Sequence, residues 1–185
     1  RQTDLKQSLA YTTLMALGAL TLFLANSTGY AITAAMTFLV VHSLYKASLF
    51  LMIGVVDHGT GTREVDRLSG LAKAMPITFV AAALAGLSMA GIPPFLGFIG
   101  KELMYKGALG VISSPAIVTA ATFAASALMF TVAGIVGLKP FIGGGGDTPK
   151  PPKEGPWPML LGPVLLAVLG LTCWVMPQLI QSSLF

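Results

Sequence analysis

The stretch Ala74–Gly110, AMPITFVAAALAGLSMAGIPPFLGFIGKELMYKGALG, decides how the chain is read. It opens as an apolar helix from Ile77 to about Gly91 and then meets Pro93-Pro94, which remove backbone donors and clash with the preceding turn. A helix must break there. Apolar residues resume at about Leu96 and run to Gly110, carrying Lys101 and Glu102. At about 1.5 Å per residue the stretch exceeds the roughly 30 Å of a bilayer core, so the break and the charges fall within the membrane. Interrupted transmembrane helices with an ionisable residue beside the interruption are what ion and proton transporters place at their midplane sites.

Composition supports a membrane setting. Hydrophobic residues make up 55% of the chain and charged residues 10%, with a mean hydropathy of +0.81. The predicted fold is an all-α integral membrane protein forming one membrane region over 1–185, with about five transmembrane helices, the third discontinuous. The helices are expected over 5–25, 30–56, 77–91 plus 96–110, 115–138 and 159–176. Asn26-Ser27-Thr28-Gly29, Ser113-Ser114-Pro115 and Pro177 punctuate them. Residues 57–73 form the most charged segment, read as a polar loop. Residues 143–158, with glycine at 143–146 and prolines at 149, 151, 152, 156 and 158, read as a flexible linker that packs no core.

Several classes of function drop out. The formal net charge of +4 comes from basic residues dispersed between apolar spans, which fits topology and not nucleic-acid binding. One cysteine, Cys173, allows no intrachain disulfide, and two histidines give no metal-ligand spacing. Gly143–Gly146 lacks the strand, helix and Lys-Ser/Thr of a phosphate loop. No cofactor is implied. With no initiator methionine and no cleavable signal pattern, Arg1 is expected to be an interior residue of a longer chain.

Alternating crossings place Arg1, Lys6, Arg63, Arg67, Lys73, Lys139, Lys150 and Lys153 on one side. The positive-inside rule makes that side cytoplasmic, so residues 57–75 and 139–156 are expected there and the C-terminus outside. Reading the broken segment as a re-entrant hairpin would erase most of this bias.

Ionisable residues inside spans are the candidates for chemistry. His42 and Lys46 are four apart, on one helix face. By helical rise Lys46 lies about 24 Å from the Tyr30 end and about 15 Å from the Val56 end, too deep for easy snorkelling. An unpaired ammonium at that depth costs at least about 2.5–3.5 kcal/mol, so Lys46 either pairs structurally with a carboxylate or exchanges its proton. Lys101 sits one turn into the second half-helix and is read as a proton carrier close to Lys46, the alternative being an interfacial anchor. Glu102 is open between partner of Lys101, relay member and helix cap. Asp57, His58 and Arg63 read as a solvated loop, or as an access point for protons or cations.

These residues carry a resemblance. DLKQSLAYTTLMALG (Asp4–Gly18), HSLYKASLFLMIGVVDHGTGTR (His42–Arg63) and LSMAGIPPFLGFIGKELM (Leu87–Met104) resemble the A-type subunit of Mrp-type multisubunit Na⁺/H⁺ antiporters and, more distantly, the antiporter-like subunits of respiratory complex I. The resemblance implies that the chain corresponds to the last five helices of a fourteen-helix antiporter core. It also implies a proton half-channel whose relay residues are Lys46, His42 and Lys101, with a helix break at Gly91, Pro93 and Pro94. Phe38 stands where many relatives carry a further histidine. The implied partners are the other subunits of the complex, the remainder of the same subunit, H⁺, Na⁺ and the lipid bilayer. A proton-pumping module of a complex I-like or hydrogenase-like redox enzyme is the second reading, and a non-conducting structural portion of a membrane assembly the third.

Overall fold

The computed structural model describes residues 2–25, 28–111 and 114–175, the side chains through 172. Arg1, the Asn26–Ser27 part of the first turn signal, Ser113 and the tail from Met176 onward lie outside the described residues, as does the side chain of Cys173. Six α-helices account for the described fold: α1 (Leu5–Leu24), α2 (Gly29–Thr60), α3 (Pro76–Ala90), α4 (Leu96–Leu109), α5 (Pro115–Gly137) and α6 (Trp157–Val175), with a short 3₁₀ turn at Leu71–Lys73.

Local chemistry accounts for the ends. Asp4 caps α1 by accepting from Lys6 N at 2.7 Å and Gln7 N at 3.1 Å, and Thr28 caps α2 through Ala31 N at 3.3 Å. Pro76 and Pro115 stand at the starts of α3 and α5, where a missing N–H costs nothing. α2 runs a turn further than the sequence reading, to Thr60, and stops at Gly61 in the left-handed conformation (φ 77°), the usual glycine ending of a helix. Asp57 and His58 are therefore helical residues and not part of a loop.

α1, α2 and α5 are each long and apolar enough to cross a bilayer. Half-length α3 and α4 lie against both α2 and α5, and α2 also packs on α1 and α6. α2 is thus the hub, its interior face lined by Ala34, Phe38, Leu49, Met52, Ile53 and Val56. The outer surface is as apolar as the interior: Leu14 is 64%, Phe123 66%, Ile117 71% and Leu165 63% exposed. In lipid that arrangement costs nothing, and small or hydroxylated side chains then serve as interhelical glue. Ser48, fully buried, donates to Pro163 O at 2.8 Å and ties α2 to α6.

The expected free linker is fastened in several places. Lys150 N donates to Thr60 O at 3.0 Å, Gly146 N to Ser69 O at 3.1 Å, and the Glu154 carboxylate accepts from Ile77 N at 2.9 Å and from the Thr78 hydroxyl. Glycine and proline exclude an apolar core of its own, but their backbone groups and one carboxylate are free to satisfy helix ends elsewhere.

Candidate functional site

Two lysines lie inside the bundle, in different surroundings. Lys46, 5% exposed near the middle of α2, reaches across to α1, where its ammonium donates to Leu9 O and Thr12 Oγ1. Its nitrogen also lies 5.6 Å from the centre of the Phe50 ring. Among the described residues no carboxylate forms an ion pair with it. His42, one turn earlier, is buried between aromatic rings: Phe38 at 5.5 Å and Tyr45 at 5.2 Å between centroids. Its Nδ1 is hydrogen-bonded to the Tyr45 hydroxyl at 2.9 Å, and its Nε2 is buried with no partner. A buried unsatisfied ring nitrogen is costly unless water or a proton exchange partner reaches it.

The second lysine belongs to the helix break. α3 ends at Ala90, and Gly91 adopts φ 76°, a conformation only glycine takes without strain. Gly91 N bonds to Ser88 O at 3.0 Å and Ile92 N to Leu87 O at 3.2 Å, closing the helix in a Schellman pattern. Phe95 N then bonds to Ile92 O at 3.1 Å and α4 begins, so the break leaves few backbone groups unmet, as a bilayer requires. One exposed group is the Ala90 carbonyl, and Lys101 Nζ donates to it at 2.7 Å, with Ser126 O on α5 at 3.5 Å. A cation here also meets the negative end of the α3 dipole. The lysine stem crosses Gly91, where any side chain would collide with it. Ala90, Gly91, Lys101 and Ser126 line a cavity of about 570 Å³, together with Phe98, Glu102 and Tyr105.

Lys46 and Lys101 have no hydrogen-bond partner in common, one being held by α1 and the other by α3 and α5. One expectation differs from this geometry. Pro93 and Pro94 are exposed on the described surface and do not turn toward the bundle interior; it is Phe95, 5% exposed, that anchors the break. For Glu102, where three roles were open, the ion pair is with Lys106, at 2.7 Å one turn along α4.

The charged cluster at the end of α2 is also rearranged. Arg63 Nε lies 3.4 Å from Asp4 and 3.8 Å from Asp57, and backbone bonds Leu5 N to Arg63 O (3.1 Å) and Val65 N to Thr3 O (2.8 Å) stitch the loop to the start of α1. Asp57 and Arg63 thus meet, with Asp4 as an unforeseen third member, whereas His58 points outward and is exposed. Sequence reasoning also passed over Thr12, Tyr45, Ser126 and Glu154. Thr12 carries the one available signal, a polar residue inside an apolar span, whereas Ser126 meets Lys101 through its backbone carbonyl.

The chain as a whole has counterparts among known proteins. The family described as NADH:quinone oxidoreductase/Mrp antiporter, TM, matches residues 1–131. The chain belongs to that family. The A-type subunit of the Na⁺/H⁺ antiporter of Bacillus subtilis is 35% identical over 205 aligned residues, covering 100% of this chain and 26% of its own length. The chain thus spans about a quarter of the curated relatives it matches. Among solved structures, the Mrp complex from a Dietzia species superposes with a TM-score of 0.77 at 36% identity, over 94% of this chain and 19% of that one. Respiratory complex I from Thermus thermophilus with bound NADH gives 0.81 at 30% identity, over 95% and 36%. As a member of the NADH:quinone oxidoreductase/Mrp antiporter family the chain is an all-α membrane protein, and both neighbours belong to complexes.

Proposed function

We propose that this chain forms a proton-translocating half-channel of a multisubunit monovalent cation/proton antiporter, with Na⁺ the cation. Lys46, His42 and Lys101 carry the proton. The observation that carries this reading is Lys46: a lysine 5% exposed within a membrane-spanning helix, bonded to uncharged oxygens and to no carboxylate among the described residues. A structural ion pair would bring a carboxylate, and an interfacial anchor would reach a surface. The proton passes between Lys46 and the unpartnered His42 nitrogen, directly or through water, and reaches Lys101 through water as well. From Lys101 it enters the 570 Å³ cavity, whose lining includes the exposed Glu102. Gly91, Pro93 and Pro94 free the carbonyl on which Lys101 rests.

Partners follow from the chain's share of its relatives: the remainder of its own subunit, further subunits and the surrounding bilayer. No cofactor or metal enters the scheme. The test is Lys46→Ala in the intact complex in vesicles, which abolishes proton-coupled Na⁺ exchange while the complex still assembles; unchanged exchange removes Lys46 from the mechanism.

A second reading, a proton-pumping module of a redox enzyme, draws on the likeness to respiratory complex I. Exchange driven by an imposed Na⁺ gradient, with no electron donor present, separates the two. For orientation we propose that residues 57–75 and 139–156 face the cytoplasm and the C-terminus the outside. A cysteine at the exposed Glu64 should then react with an impermeant thiol reagent from the opposite side to one at Ser27. Labelling of both from one side overturns this topology.

A further inference from the structure

The proton-carrying role of Lys46 proposed above requires that its nitrogen stay in place as the charge comes and goes, and the next inference rests on that role. We propose that Thr12, with the Leu9 carbonyl, is a positioning residue that holds the Lys46 nitrogen in one place through both protonation states and leaves a single N–H to be transferred.

The donors on the lysine nitrogen can be counted. An ammonium has three N–H donors, and two of them are taken, by Leu9 O and Thr12 Oγ1. Thr12 is 3% exposed and donates its own proton to Leu9 O at 2.7 Å, so its lone pairs are the part offered to the lysine. When the third N–H breaks, the electron pair stays on Nζ and the proton goes to a water oxygen or an imidazole nitrogen. The amine that remains has two N–H donors, which match the same two acceptors. Nothing needs to move on release, and recapture meets a lone pair already aimed.

A carboxylate in Thr12's place would work against this. It would hold the ammonium through a charge-assisted bond and be left as a bare buried anion once the proton had gone. Neutral oxygens on α1 tolerate both states. The ionisable surroundings agree: His42 is the ionisable neighbour one turn away on α2, the α1 contacts carry no charge, and Lys101 on α4 is engaged with Ala90 and Ser126. The Leu9 carbonyl cannot be mutated away, which makes Thr12 the testable half of the pair.

The experiment compares Thr12→Val, which keeps the shape and removes the hydroxyl, with Thr12→Ser, which keeps the hydroxyl, in the assembled complex in vesicles. Exchange in the valine variant should fall about tenfold or more, the scale of a lost bond to a charged group, while serine stays within about twofold of the parent. Should the valine variant fail to assemble, Thr12→Cys, whose sulfur is a weak acceptor, takes its place in the comparison and should also lose activity. Parent-like exchange in Thr12→Val overturns the proposal, as does an equal loss in Thr12→Ser, which would mean that shape and not the hydroxyl matters. Lys46→Ala serves as the control for the underlying reading: full exchange there brings down the relay itself, whereas a dead Lys46→Ala with an active Thr12→Val brings down this inference alone.

Discussion

The lysine of α2 and the lysine of α4 solve one problem by different means. Lys46 sits on an unbroken helix and finds its acceptors on a neighbour, a carbonyl and a hydroxyl of α1. Lys101 sits beside a broken helix and takes the carbonyl that the break exposes, Ala90 O at 2.7 Å. Neither has a carboxylate partner among the described residues. The first solution needs a side chain from elsewhere in the sequence, and the second needs only a glycine and two prolines a short way upstream. An interrupted helix therefore does more than admit water: it manufactures a cation acceptor from its own backbone.

The comparison breaks if one lysine can be lost freely. The largest expected effect after Lys46→Ala is that of Lys101→Leu, which leaves the Ala90 carbonyl without its ammonium and the cavity without a carrier; exchange in vesicles should be lost. Lys101→Glu sharpens the contrast. A protonated glutamate can still donate to Ala90 O, so partial exchange should remain, falling as pH rises and the carboxylate turns from donor to acceptor. Retention of exchange in the leucine variant would make Lys101 an anchor and leave Lys46 as the one lysine carrier.

How much of this was legible follows from the same contrast. The break could be read from Gly91, Pro93 and Pro94 because proline acts on its own neighbours, and the helix limits on either side, Ala90 and Leu96, fall within a residue of the expectation. The rest point for Lys101 was hidden only in part, since an orphan carbonyl upstream of a proline pair is a local fact. The partners of Lys46 were out of reach, because Leu9 and Thr12 lie 37 and 34 residues away and nothing in an apolar span tells which neighbour it will face. The extension of α2 to Thr60 had a signal in Gly61. The polar Asp57 and His58 outweighed it, although a helix emerging from a bilayer has no reason to stop where its polarity changes. Asp57 and Arg63 lie in one segment, but Asp4, the third member of the clasp, is far away in sequence and had no local signature.

A moderate effect is expected at the glycine that makes the break work. Gly91→Ala places a β-carbon at φ 76°, which costs roughly 1–2 kcal/mol, and drives it into the Lys101 stem. The prediction is a complex of lower thermal stability with reduced exchange. Equal exchange at full stability would mean that Lys101 does not need the Ala90 carbonyl. Lys46 should be indifferent to this change, so a Thr12→Val effect of the same size in the Gly91→Ala background would confirm that the two sites are held independently.

The smallest effect concerns a carboxylate that touches neither lysine. Glu154 comes from the Gly/Pro-rich segment and caps the start of α3, accepting from Ile77 N at 2.9 Å and from the Thr78 hydroxyl. Met75, at the N-cap of α3, makes no side-chain cap, so the acid arrives from 77 residues away, where the helix dipole favours a negative charge. Glu154→Gln keeps an acceptor oxygen and removes the charge, which should cost about 0.3–1 kcal/mol, whereas Glu154→Ala removes the cap and should cost about 0.5–2 kcal/mol. Both are read as a drop in the thermal stability of the detergent-solubilised complex. The far end of α3 holds Ala90, so a cap that only steadies the helix leaves the exchange rate per assembled complex unchanged. If exchange falls while stability holds, the anchored segment takes part in proton delivery, and the division of the molecule into two lysine sites and a passive clasp gives way.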